Sequence, residues 1–188
     1  MPDHRLKPMT PLGHGTPRIV TVGPVTIAEV DSFALASLAA RLGREAEVER
    51  MAASAHVPLP GPGRHAADTL YASFWLGPQQ WMIEAPIDSH EDIAAILRTA
   101  FADAASLTEQ TGAWARFDVT APDLPALFAR LSAFDLVAHG PGSATRTVID
   151  HLGCYVIVRA IDRLSVLGPR SSAQSLHHAL ITAAQSVF

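Results

Sequence analysis

Short alternating apolar segments that stop at glycine–proline pairs most constrain what this chain can fold into. Residues 18–22 and 25–30 flank Gly23-Pro24, residues 70–76 and 80–85 flank Gly77-Pro78, and Gly168-Pro169 breaks the segment 163–167. Successive strand side chains point to opposite faces, and a glycine–proline turn reverses the chain after a few residues, so this pattern predicts hairpins. In residues 113–119, Ala115, Phe117 and Val119 fall on one face and Trp114, Arg116 and Asp118 on the other. Segments 106–111, 143–149 and 154–160 read as further strands.

Helical spacing interrupts these strands. Leu35, Leu38, Ala39 and Leu42 follow Asp31 or Ser32 as the cap and stop at Gly43, which predicts a helix. A shorter one follows, with Glu45, Glu47 and Glu49 favouring its positive end and Val48, Met51, Ala52 and Ala55 on one face. Ser89 is the expected cap of the clearest helix, where Ile93, Ile96, Leu97, Ala100, Phe101 and Ala104 form a stripe. Thr120, with Pro122 and Asp123 behind it, opens a helix carrying Leu124, Leu127, Phe128 and Leu131. Leu176, Leu180, Ala183 and Val187 mark a last helix. Hairpins punctuated by helices indicate an α+β fold of mainly antiparallel sheets, and the missing β-α-β alternation argues against a doubly wound nucleotide fold.

Residues 58–64, P-L-P-G-P-G-R, form a loop inside one domain, since neither flank is long enough to bury a robust core alone. Residues 1–17, broken by Pro2, Pro8 and Pro11, read as a flexible arm with little packing value, ahead of a single domain over 18–188. Composition narrows the function. Hydrophobic residues make up 48% of the 188 and charged ones 17%, so the chain is not globally disordered. A net charge of −4 with scattered basic residues argues against nucleic acid, which demands a dense basic surface. No apolar run is long enough to cross a membrane and no secretory signal is visible, so a cytoplasmic protein is expected.

A search for reactive groups returns little. The single lysine, Lys7, lies in the arm, and neither a phosphate-binding loop nor a dinucleotide fingerprint is present. Cys154, the single cysteine, lies in the apolar run C-Y-V-I-V and reads as a small buried hydrophobe. Nine histidines suggest metal, but His177 and His178 are adjacent on a helix and diverge, His139 and His151 sit in turns, and His4 and His14 are in the arm. A serine nucleophile lacks its G-x-S-x-G elbow. Neither a catalytic, a cofactor-binding nor a metal residue is expected. The tryptophans stand out instead. Trp75 and Trp81 flank the hairpin turn and Trp114 points to the polar face of its strand; a core role is the simpler reading for any one of them, and three in a small sheet make them candidates for a partner interface. A positive mean hydropathy of +0.19 beside so few charges fits either an alanine-rich, well-buried core or an apolar face covered by another subunit or by self-association of the isolated chain.

The run Phe74-Trp75-Leu76-Gly77-Pro78-Gln79-Gln80-Trp81-Met82-Ile83 resembles the W-L-G-P-[DE]-[EQ]-W-[LM] signature of the gamma subunit of heterotetrameric sarcosine oxidase. Phe134-Asp135-Leu136 with Gly140-Pro141-Gly142-Ser143 is similar to that family's D-L…P-G-S stretch, Thr145-Arg146 to its T-R, and Val166 to Ser171 to its L-V-P-R-S. The likeness runs in order from about Leu70 to the C-terminus. It implies the fold of the aminomethyltransferase folate-binding domain, two interlocked α+β halves. It also implies a non-catalytic accessory subunit that packs on a large alpha subunit, alongside beta and delta subunits, in a complex that oxidatively demethylates sarcosine. FAD, FMN, NAD and tetrahydrofolate would then sit on the partner subunits. The alternative is a free-standing folate-dependent aminomethyl- or methyl-transfer protein. Against it, the relatives' Asp-x-Ser is replaced here by Glu109-Gln110-Thr111, and Ala121 stands where their glycine does.

Overall fold

The chain is described by a computed structural model over residues 7–188. Its first hairpin pairs β1 (Ile19–Val22) with β2 (Val25–Val30) around Gly23, whose φ of +54° suits glycine. The chain then leaves for a second sheet. That sheet contains β3 (Phe33–Ala40), β4 (His65–Ala67), β5 (Ala72–Gly77), β6 (Gln80–Pro86) and β7 (Ala105–Glu109), in the order β4-β5-β6-β3-β7. It returns with β8 (Trp114–Thr120), β9 (Ala144–Ile149), β10 (Leu152–Ala160) and β11 (Arg163–Pro169) to complete a six-stranded sheet, β1-β2-β8-β11-β10-β9. All the strand pairings are antiparallel. Because the N-terminal hairpin belongs to the C-terminal sheet, the two α+β halves interlock as expected.

Three apolar clusters define the layers. Ala34, Ala36, Leu38, Ile83 and Ala85 turn one face of the five-stranded sheet to α1 (Glu45–Ser54) and α2 (Ile93–Phe101). Phe117, Val119, Val156, Leu164 and Val166 turn one face of the six-stranded sheet to α3 (Leu124–Phe128) and α5 (Ala173–Val187). Between the sheets lie Phe33, Leu35, Phe74, Met82, Ile157 and Leu167. The order is therefore helix, sheet, sheet, helix, with β8 alternating as its sequence predicts.

Several local expectations are corrected. The stretch with Leu35 and Leu38 is β3, not a helix. It lies between β6 and β7 and is buried on both faces, and a doubly buried strand gives an unbroken apolar run that imitates helical spacing. Leu42, assigned to that helix, is 98% exposed. Asp92 rather than Ser89 caps α2, accepting from the Ala95 amide at 3.0 Å, and Ile96 on its expected apolar stripe is exposed. Asp123 rather than Thr120 caps α3, and Thr120 ends β8. Gly168-Pro169 does not break β11, which runs through both residues opposite Ala115 and Trp114. A short helix α4 (Leu136–His139), capped by Asp135, was not foreseen.

The expectation that the arm over residues 1–17 packs little fails at Met9 and Leu12. Leu12 is buried in the helix-side core, and the buried Glu29 carboxylate accepts from the amides of Leu12 (2.8 Å) and Arg18 (3.0 Å). Arg170 donates to the Met9 carbonyl at 2.8 Å. The first six residues, His4 among them, lie outside the described ones.

Candidate functional site

Charged residues within apolar strands build the chain's most polar interior. Glu84 interrupts the run W-M-I-E-A of β6, and Arg159 interrupts Y-V-I-V-R of β10. Both point into the space between the sheets, where Arg116 and Asp118 of β8 and Ser165 of β11 also project. Glu84 is the five-stranded sheet's contribution. Its carboxylate accepts from Arg159 Nη2 at 2.9 and 3.0 Å and from Arg116 Nη1 at 3.2 Å. Arg116 grips Asp118 with Nε at 2.7 Å and Nη2 at 3.1 Å, a two-point geometry that suits a planar guanidinium. Ser165 Oγ donates to Asp118 at 2.7 Å and accepts from Arg159 Nε at 3.1 Å. The Phe33 ring lies 5.3 Å from the Arg116 guanidinium carbon.

Electrostatics follow from this pairing. Burial pushes the Asp118 carboxyl up, but the hydrogen bonds and charge of Arg116, with the Ser165 hydroxyl, outweigh it and hold Asp118 below its ordinary range. Burial likewise works to lower Arg116, and its bonds to Asp118 and the charge of Glu84 raise it instead. The cluster opens into a cleft of about 560 Å³ whose walls include Val30, Phe33, Leu70, Ala85 and Pro86, with Asp88 at its mouth. The carboxylates of Glu84 and Asp118 already face guanidiniums, so this cluster presents neither as a free base and leaves neither arginine unpaired for a phosphate or carboxylate. It works as a clamp between sheets.

The expected interface residues occupy different settings. Trp81 is buried, and its indole N–H donates to the Pro60 carbonyl at 2.8 Å, pinning the proline-rich loop. Trp75, paired with Trp81 across the hairpin, is half-buried against the α1–α2 core. Trp114, half-buried, meets Tyr155 edge-on at 5.1 Å and donates to Gln110 Oε1 at 3.3 Å. The structure does not bring the three together at one surface. Glu109 is held too: it accepts from the Ala94 amide at the start of α2 (3.1 Å) and from Thr111. Cys154 is buried, its thiol pushed up to about 11 by that burial, and Gly168 lies against it.

Sequence reasoning placed Arg116 and Asp118 on a polar face but missed Glu84, Arg159 and His65. The signal was available for the first two, a lone charge inside an apolar strand, which requires a partner. His65 Nε2 donates to the Val158 carbonyl at 3.0 Å while its Nδ1 is buried without a partner, and burial beside Arg159 lowers its pKa. His177, buried on α5 against the Phe117 ring, likewise has an unpartnered Nε2. No group of three or more histidine, cysteine or carboxylate side chains is positioned to hold a metal among the described residues, and no helix there is long and apolar enough to cross a membrane.

No protein-family model matches the chain, and no curated protein matches it by sequence. Solved structures do match in fold. Heterotetrameric sarcosine oxidase from Corynebacterium sp. U-96, solved in complex with pyrrole 2-carboxylate, has a chain that superposes with a TM-score of 0.75 at 22% identity. The match covers 90% of this chain and 88% of that one. The chain shares the fold of a sarcosine oxidase component. Aminomethyltransferase T of the glycine cleavage system from Bartonella henselae matches with a TM-score of 0.57 at 12% identity. There the overlap is 84% of this chain but 48% of that one, so this chain spans about half of the transferase.

Proposed function

We propose that this protein is the accessory gamma subunit of a sarcosine-oxidase-type flavoenzyme complex in sarcosine catabolism and one-carbon metabolism. In this reading it packs on the large alpha subunit in the cytoplasm, alongside beta and delta subunits. FAD, FMN, NAD and tetrahydrofolate are held by those partners. The observation that carries the reading is the near full-length correspondence with one chain of a heterotetramer, 88% of that chain covered. The mutual pairing of Glu84 and Asp118 with Arg116 and Arg159 and the motif order from Leu70 onward support it. Co-expression with the large subunit of such an oxidase is the test: the two should elute together through size exclusion. Separate elution, with this chain a stable monomer, refutes the assignment.

The likeness to aminomethyltransferase T favours a second reading, a free-standing folate-dependent transfer protein. It requires heat of binding when tetrahydrofolate is titrated into the isolated chain, abolished by Glu109→Ala. Since Glu109 is engaged at the start of α2, the expected result is no heat at high micromolar folate.

A further inference from the structure

The two sheets do not cover one another completely. One row of residues crosses the inner face of the six-stranded sheet through successive pairings: Ile19, Ala28, Asp118, Ser165, Ile157 and Ala144. Its exposure changes along the row. Ile157 and Ser165 are fully buried under the five-stranded sheet, whereas Ala28 is partly open and Ile19 is 67% exposed. The neighbouring positions Thr21, Thr26 and Val30 are also open or half-open. Among the described residues, the β1–β2 side of this sheet therefore presents an uncharged inner face that the five-stranded sheet leaves partly uncovered, with Val30 at its end packing against the core between the sheets, and its edge strand Ile-Val-Thr-Val carries no lysine, proline or charge to blunt pairing. Other large exposed apolar residues, such as Leu42, Val137 and Ile161, stand singly on separate turns or short elements.

This face runs into the cleft mouth, where charge decides what fits. Glu84, Asp88 and Asp118 line the cleft against Arg116, and Arg159 behind it supplies the second cation. Pairing Glu84 and Asp118 with the two guanidiniums leaves the exposed Asp88 carboxylate, beside Pro86 and Leu70, without an ion-pair partner among the described residues. We propose that the open face from Ile19 to Val30, with the cleft mouth at Asp88, is the surface on which the large subunit docks. The partner segment seats an arginine or lysine, flanked by small apolar side chains, at Asp88. This inference rests on the accessory-subunit reading and adds which surface is used and what meets it.

Binding of the full chain to the purified large subunit, followed by interferometry, is the test. Ile19→Asp, Ala28→Arg and Asp88→Arg should each weaken binding about tenfold or more, because a buried unpaired charge or a like-charge contact opposes docking. Leu42→Asp, at a remote exposed site, should bind within about twofold of the wild type. Ile19 and Asp88 are exposed, so their variants keep the test decisive even where Ala28→Arg lowers folding yield. Unchanged binding by Ile19→Asp and Asp88→Arg overturns the surface. Loss with Ile19→Asp but not with Asp88→Arg overturns the cationic contact. A wild-type chain that never binds the large subunit refutes the parent reading itself, a result distinct from either.

Discussion

Replacing Glu84 by glutamine removes the one carboxylate that ties the five-stranded sheet to both arginines of the other sheet. The shape is kept and the charge is lost. A unit charge pair about 4 Å apart is worth about 4 kcal/mol at an effective dielectric near 20. Removing one partner of a buried pair costs about 3–5 kcal/mol, because the other charge is left behind. Two facts place Glu84→Gln near the lower end. Arg116 keeps Asp118, and each guanidinium side chain retains 14% exposure. Arg159 is the stranded group, left with Ser165 and a neutral carbonyl. The expected loss is about 3 kcal/mol, or about 6–12 °C in Tm for a chain of this size. Differential scanning calorimetry reads the shift directly. A cycle with Arg159→Met isolates the pair: the double variant should lose about 2 kcal/mol less than the sum of the singles. A single-variant loss below about 0.5 kcal/mol, or strict additivity, would refute the clamp.

Other expectations follow from the same geometry. Gly168→Ala places a methyl 2.5 Å from Leu176 Cδ2 and 3.3 Å from Cys154 Sγ, and this overpacking should cost about 1–3 kcal/mol in urea unfolding. Leu176→Val in the same chain should recover part of it, and a fully additive pair would show that the contact is not the cause. Glu109→Ala should cost about 1 kcal/mol in urea unfolding through the lost bond at the start of α2, and an unchanged midpoint would show that this bond does not hold the helix. His177 has its pKa lowered, first by burial and then by the charge of Arg18, so the unfolded chain takes up its proton before the folded one. Stability should therefore fall as pH drops below the ordinary histidine value towards the lower folded one. His177→Phe should flatten that slope in urea midpoints between about pH 5 and pH 8, and an unaltered slope would assign it to other groups.

Period and turn chemistry alone determined the hairpins, the alternation of β8 and the last helix. Those signals are local, since a strand's two faces and a helix's stripe can be read from neighbours in the chain. Ser37 and Ala39 look no different in a strand from how they look in a helix, so β3 was decided only when β6 and β7 enclosed it. The arm shows the same limit. Nothing near Leu12 announces that Glu29 will collect its amide from across a turn, or that its side chain completes a core. The ionic clamp was half legible, in that Glu84 and Arg159 each demanded a partner, but which partner depended on two sheets meeting face to face. Contacts of that kind join residues 32 and 75 positions apart, and no short-range pattern carries them.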